Sequence, residues 1–291
     1  MQAWTGVAGK RVIVTGATNG IGLAAACELA RRKARLSIVA RDQTRADAAV
    51  ARIKAAGGPG TEVEVLDADL SSQTSIRKLA AAILAGHPRI DVLINNAGAV
   101  NSRRQLTEDG LELTWAVNHL APFLLTTLLL DRIRASAPAR IVTTSSGAHH
   151  GARIPFDDIN ALRGYRSFAR YGQSKLANIL FTIELARRLE GSGVTANCYH
   201  PGFVASGFNR NNGRLMAFAM TLGRPFARSP EKGADTLVWL ADSAEVSSES
   251  GGYFANRKRQ QPSEAARDTA AARRLWELSE EQTGMKVSAA P

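Results

Sequence analysis

Cysteine is scarce in this chain: Cys27 and Cys198 are the only two, each in an apolar stretch, with no CxxC pair and no metal-ligand spacing. That argues against a disulfide scaffold and against a zinc site, so two buried free thiols in a reducing compartment, and no metal, are expected. Long apolar runs are missing as well. The N-terminal MQAWTGVAGKRVIVTG holds no sustained apolar segment, and the longest apolar run, LAPFLLTTLLL at 120–130, is too short to span a bilayer. A cytoplasmic protein without a membrane anchor is expected. Aromatic residues make up 6% of the chain and do not interleave with its basic clusters, Arg103-Arg104 and Arg257-Lys258-Arg259. The net charge of +11 is therefore assigned to solvated surface and an anionic cofactor, with no nucleic-acid partner.

Internal repeats and low-complexity linkers are also absent, and the only punctuated stretches are short, GGPG at 57–60 and NNGR at 211–214. With 291 residues, 45% of them hydrophobic, the chain suits one large domain over 1–291, with a tail at 287–291 that frays. Short β-rich runs (RVIVTG, RLSIVA, VEVLDA, DVLINN) alternate with helical patterns at 20–32, 44–56, 72–85 and 107–134. The alternation continues through RIVTTSS at 140–146, a helix from YGQSK, VTANCYH at 194–200, a helix near 231–241 and a last strand at 252–255. This is the pattern of βαβ units: an α/β fold with a mostly or fully parallel sheet, helices on both faces, and ligands at the carboxyl ends of the strands.

The motifs fall just after strands. In TGATNGIG, Gly16, Gly20 and Gly22 follow the first strand and open a helix, where backbone N–H groups can approach a pyrophosphate. The spacing differs from GxGxxG, and a tight turn that binds nothing is the alternative. The second strand ends in VARDQ, where a neutral Ala40 followed by Arg41 favours a guanidinium contact to the 2′-phosphate of NADP over NAD. Asp42 could instead bind a ribose hydroxyl or start the next helix.

In YGQSK, Tyr171 and Lys175 lie four residues apart, one turn on the same face of a helix whose apolar stripe is Leu176, Ile179, Leu180 and Ile183 and whose stop is Gly191. On spacing alone the two could be a chance surface pair.

TGATNGIG, NNAG at 95–98, Asn118, a serine pair after RIVTT and YGQSK, in that order, resemble the short-chain dehydrogenase/reductase family over nearly the whole chain. HLAPFLLTTLLLDRI, SSGAHH, IPFDDIN and SKLANILFTIELARRL look like its retinol dehydrogenase-like subgroup, whose members act on retinoids or other lipophilic alcohols and aldehydes. The resemblance implies a single doubly wound Rossmann-type domain and an NADP(H)-dependent oxidoreductase, as a homodimer or tetramer. The membrane anchor of the animal members has no counterpart in this sequence.

Roles carry over from the resemblance residue by residue. Tyr171 matches the general acid/base, and Lys175 the cation that stabilises its phenolate and binds the nicotinamide ribose. Ser146 aligns with the substrate-orienting serine, with Ser145 as fallback. Asn118 matches the asparagine of a proton relay, the alternative being an amide that bonds a neighbouring strand. For the cofactor, the resemblance implies Gly16, Thr18, Asn19, Gly20, Ile21 and Gly22 in the first turn, Asp69 and Leu70 in DADL beside adenine, and Asn95, Ala97 and Gly98 beside its ribose. Asn95 could instead tie strands together. PGFVAS resembles the nicotinamide loop, with Pro201, Gly202, Val204 and Ser206, the last standing where a threonine usually meets the carboxamide.

Adjacent His149 and His150 would face opposite ways on a strand and mark no metal site, so they read as loop histidines near the pocket. Met216, Phe218 and Met220 lie in a stretch, within about 201–230, that is expected to form an apolar substrate lid, ordinary core packing being the alternative. A rival to the enzyme is a catalytically idle NADP-sensing scaffold on the same fold.

Overall fold

The computed structural model describes residues 4–204 and 228–285. Its frame is an eight-stranded sheet of order β3-β2-β1-β4-β5-β6-β7-β8. The strands are β1 (Arg11–Thr15), β2 (Arg35–Ala40), β3 (Val63–Asp67), β4 (Val92–Asn95), β5 (Ala139–Thr144), β6 (Val194–Tyr199), β7 (Tyr253–Ala255) and β8 (Lys258–Gln260). All neighbours pair in parallel except β7 and β8. Strand order reverses between β1 and β4, so the carboxyl ends of these two strands flank the crevice where such sheets bind ligands.

Alternation along β1 explains the two layers. Val12 and Val14 enter a core with Leu29, Ile38 and Leu237, formed by α1 (Gly20–Arg31), α2 (Gln43–Gly57) and a later helix, α6 (Pro230–Asp242). Ile13 points the other way, into a core with Leu93, Phe123, Ile141 and Phe181. That face is covered by α3 (Gln73–Gly86), α4 (Leu113–Ala135) and α5 (Ser167–Arg188). Helix α4 is α-helical at Leu113–Trp115, π-helical over Ala116–Leu120, and α-helical again at Ala121–Ala135.

Three features depart from the sequence reading. Helix α4 begins at Leu113 rather than 107, because residues 106–112 double back, with Leu106 bridged to Glu112 and the Glu112 carboxylate accepting from the N–H groups of Thr114 and Trp115. Strand β8 escaped notice because Lys258–Gln260 is exposed and polar; its hairpin turn places Asn256 and Arg257 at φ +52° and +56°. Helix α7 (Thr269–Thr283) was also missed, although Asp268 caps it, Leu275, Trp276 and Ser279 line its buried face, and Gly284 ends it in the left-handed region.

The run at 120–130 belongs to a 23-residue helix that is long and apolar enough to cross a membrane, which corrects the estimate from the run alone. Burial of 83% of its apolar window inside the protein accounts for that composition. Cys198 is buried, but Cys27 is only part-buried, packed at the edge of the core; both are free.

Candidate active site

The glycine turn is held from below. Gly16 and Gly20 adopt φ +69° and +53°, where other residues are strained. A Cβ at Gly16 would stand 2.8 Å from the Cα of Ala97, and one at Gly22 2.2 Å from the Gly16 carbonyl oxygen, so neither position has room for a side chain. The Asn96 amide donates to the carbonyls of Thr15 and Gly16, both at 3.1 Å. The Thr15 hydroxyl accepts from the N–H groups of Asn96 and Ala97 at 3.0 Å. Asn96 and Thr15 are thus the residues that lock NNAG to the glycine turn, and sequence reasoning passed over both. Their signal was adjacency: one precedes Gly16, the other precedes Ala97.

At the mouth of this turn, Asn19 is exposed and Thr18 part-buried, while Ile21 packs inward with Val204 around Gly233. Helix α1 starts with no side-chain cap and no acidic residue in its first turn. Uncapped N–H groups without a competing carboxylate fit an anionic dinucleotide.

At the end of β2, Asp42 accepts from the Arg45 N–H at 2.9 Å and caps α2, which assigns it to the helix start. The Arg41 guanidinium is largely exposed and lies 3.3 Å from an Asp69 oxygen. The other Asp69 oxygen accepts from the N–H and hydroxyl of Ser71 at 2.9 and 2.7 Å. Burial alone would raise the Asp69 carboxyl, but Ser71 and Arg41 outweigh it and hold the group below its ordinary range. Leu70 packs against the apolar core. Asn95 points into the protein and donates to the Thr126 hydroxyl at 2.9 Å, so its side chain ties β4 to α4 rather than facing a ligand.

The four chemistry-bearing residues converge where β4, β5, α4 and α5 meet. Asn118 lies in the π-turn of α4, donates to the Ala99 carbonyl at 2.9 Å and to the Ser174 hydroxyl at 3.0 Å, and accepts from the Ala99 N–H at 2.7 Å. Ser174 in turn donates to the Tyr171 carbonyl at 2.7 Å. Lys175 is buried; its ammonium donates to the Thr144 carbonyl at 3.1 Å and sits 5.6 Å from the centre of the Tyr171 ring. A Cβ on Gly98 would come 3.3 Å from Asn118 Oδ1 and 3.4 Å from Lys175 Nζ, so a side chain there would crowd both.

Of the two serines, Ser146 hydrogen-bonds the Tyr171 side chain. Ser145 turns inward, fully buried, and donates to the Lys175 carbonyl at 2.8 Å. Ser146 thus faces the Tyr171 side chain, and Ser145 braces α5 from within.

Burial pushes the Tyr171 phenol up to about 12, with the Ser146 hydrogen bond pulling the other way. Burial also brings the Lys175 ammonium down to about 8. Near neutral pH the site thus presents a protonated phenol beside an ammonium, a group that can donate a proton next to a charge that stabilises the anion left behind.

The histidines lie in a loop, as read from the sequence: His149 ends a 3₁₀ turn and His150 follows it, with their rings 4.0 Å apart and tilted by 39°. His149 Nδ1 is 2.7 Å from the Ser146 carbonyl, and its Nε2 accepts from the Ser263 N–H at 3.2 Å, which makes Nδ1 the protonated nitrogen. Burial holds His149 down at about 4.

Pro201 and Gly202 shape the turn after β6, with Gly202 at φ +81° and its N–H donating to His200 Nδ1 at 3.1 Å. Val204 is buried and bridges Arg228. Ser206, Met216, Phe218 and Met220 lie outside the described residues. A cavity of about 580 Å³ lined by Leu66, Asp67, Lys78 and Glu108 touches none of the four convergent residues.

Residues 10–215 match the family model described as short chain dehydrogenase. The chain belongs to the short-chain dehydrogenase family. It is 44% identical to human retinol dehydrogenase 13 over 287 residues, covering 97% of this chain and 86% of that protein. Mouse retinol dehydrogenase 12 is also 44% identical, over 280 residues, 96% of this chain and 88% of its own length. Among solved structures, a putative uncharacterized protein from Mycobacterium paratuberculosis superposes with a TM-score of 0.79 at 33% identity, over 99% of this chain and 100% of that one. A short chain dehydrogenase from Burkholderia cenocepacia, solved in complex with NADP, gives 0.69 at 27% identity, over 85% and 96%. The oxidoreductase class and the Rossmann-type fold follow from this membership.

Proposed function

We propose that this protein is an NADP(H)-dependent oxidoreductase that interconverts a lipophilic alcohol and its aldehyde or ketone, with Tyr171 as general acid/base. The observation that carries the reading is the convergence of Tyr171, Lys175, Ser146 and Asn118 beside the glycine turn that opens an uncapped helix.

In the reductive direction, bound NADPH supplies hydride to the carbonyl carbon. The protein does the rest. Ser146 orients the carbonyl oxygen by donating a hydrogen bond, and Tyr171 gives its phenolic proton to that oxygen as negative charge develops there. Lys175, held by the Thr144 carbonyl, stabilises the resulting phenolate. Asn118, which bonds Ala99 and Ser174, is the residue assigned to the relay that restores the proton through Lys175 and Tyr171. In oxidation the same groups run in reverse.

Two observations support the cofactor and substrate class. Arg41 is an exposed guanidinium at the end of β2, suited to a 2′-phosphate, and Asp42, its acidic neighbour, is taken up as a helix cap. Relatives named retinol dehydrogenases match at 44% identity over most of the chain, which favours a lipophilic carbonyl compound. The test is to follow NADPH and NADH consumption over a panel of retinal, medium-chain aldehydes and ketones. Turnover with NADPH and its loss in Tyr171→Phe is the expected result; tight NADPH binding without turnover on any member would overturn the reading.

A further inference from the structure

Glu112 and Arg170 form the one described ion pair with both side chains shut away from solvent, at 0% and 1% exposure, with Arg170 Nε 2.6 Å from Glu112 Oε2. Burying two charges is costly, and an apolar pair of similar volume often stabilises a protein as well or better. Stability alone therefore gives weak grounds for this pair, and its connections suggest another role.

Glu112 accepts from the N–H groups of Thr114 and Trp115 at 2.9 Å, so it forms the root of α4, six residues before Asn118. Arg170 directly precedes Tyr171 on α5, and its guanidinium also lies 4.8 Å over the Trp115 ring. The same pair gathers the loop between Ser146 and α5: Arg170 donates to the Ile159 carbonyl, and the Glu112 N–H donates to Asn160 Oδ1 at 3.0 Å. The three segments that carry Asn118, Ser146 and Tyr171 thus all meet on one ion pair.

Further along, α4 and α5 touch again where Asn118 donates to Ser174. Beyond that point His119 and Phe123 pack on Phe181, so the helices are held apolar at one end and by the ion pair, one turn before Ser174, at the end that carries the site. We propose that the Glu112–Arg170 pair is a positioning element that sets the rotation of α4 against α5 and thereby holds Asn118, Tyr171 and Lys175 in working register. Neither residue touches the reacting atoms. The proposal rests on the reductase reading for its kinetic consequence, but its geometric consequence stands apart from turnover.

Two variants test it. Glu112→Gln keeps an acceptor for the helix cap and removes the charge; the double variant Glu112→Leu/Arg170→Met replaces the pair with apolar volume. In both, kcat should fall tenfold or more while the KM for the carbonyl substrate and the Kd for NADPH stay within twofold. The second readout needs no turnover: with tyrosine labelled by ¹³C at Cζ, the Tyr171 resonance, identified by its loss in Tyr171→Phe, should move in both variants while that of Tyr253 stays in place. A folded double variant with wild-type kcat, or a Tyr171 resonance unmoved in whichever variant folds, overturns the proposal. If the wild type turns over no member of the panel, the reductase reading fails and the resonance alone decides the role of the pair.

Discussion

The Lys175 ammonium lies 5.6 Å from the centre of the Tyr171 ring and is held there by the Thr144 carbonyl at the end of β5. One helical turn supplies the separation, and the strand end supplies the anchor. Asn178, one turn beyond Lys175, donates to the same carbonyl at 3.1 Å, so the anchor is itself fixed from α5. A lysine placed by spacing alone would keep its rotamer freedom; this one is held from two elements before any ligand arrives.

Removing the Tyr171 hydroxyl isolates its proton from its bulk. Tyr171→Phe retains the ring that packs beside Phe168 and deletes only the group that Ser146 meets. We expect turnover to drop by roughly two to four orders of magnitude, the range that general acid–base catalysis contributes. NADPH affinity should change less than about threefold. Steady-state kinetics beside fluorescence titration of NADPH checks both, and residual activity above about a tenth of wild type would rule out the assigned role.

The pH dependence follows from two shifted groups. Reduction needs Tyr171 protonated, which its rise to about 12 secures over the working range, and Lys175 charged, which its fall to about 8 secures only below that pH. For reduction, kcat/KM for NADPH, which reports the free enzyme, should hold level below about 8 and decline above it. Lys175→Arg keeps its charge at every accessible pH, so the decline should move up toward the tyrosine even though the rate falls. A wild-type profile flat from pH 7 to roughly 10 would mean that Lys175 does not govern the alkaline limb.

Much of the fold was legible in the sequence. The sheet follows from the alternation of short apolar runs and helical patterns, and the grouping of Tyr171, Lys175 and Ser146 from the order of motifs that resemble the family, because each is written locally in a few adjacent residues. What the sequence concealed depends on contacts far apart in the chain. The bracing of Asn96 against Thr15 joins residues 81 apart, and Arg170 finds Glu112 across 58. No local pattern marks either partner. The loop at His149 and His150 was legible, but not its shape: the 3₁₀ turn after Ser146 comes from its hydroxyl accepting the Ala148 N–H at 3.2 Å. Helix α7 and strand β8 were different, since their cap, stripe and turn residues were there to be seen.

Arg41 reports on the cofactor. Its bond to Asp69 is solvent-exposed, so breaking it should leave thermal stability within about 0.5 kcal/mol of wild type. A charge-assisted contact to a 2′-phosphate is worth about 1.5–3 kcal/mol, so Arg41→Ala should raise the NADPH dissociation constant roughly ten- to hundredfold. NADH binding should hardly move. Calorimetric titration with both cofactors reads the difference, and equal losses for the two would place Arg41 outside 2′-phosphate recognition.

The serine pair offers the sharpest contrast, because two adjacent residues of the same type should fail in different ways. Ser145 is buried and its hydroxyl donates to the Lys175 carbonyl, which the helix also engages, so Ser145→Ala removes one buried hydrogen bond and should cost about 0.5–1.5 kcal/mol of stability, read in chemical denaturation. Its turnover, measured on folded protein, should stay within severalfold of wild type. Ser146 faces Tyr171 and caps the short turn that follows. Ser146→Ala should therefore lose a hundredfold or so in kcat, about the loss from removing one donor to a developing oxyanion. It also loses the turn cap, worth about 1 kcal/mol, so some destabilisation accompanies it. What separates the two is the ratio of rate loss to stability loss. Should Ser145→Ala prove the catalytically crippled variant while Ser146→Ala turns over normally, the pocket-facing serine has been assigned the wrong way round.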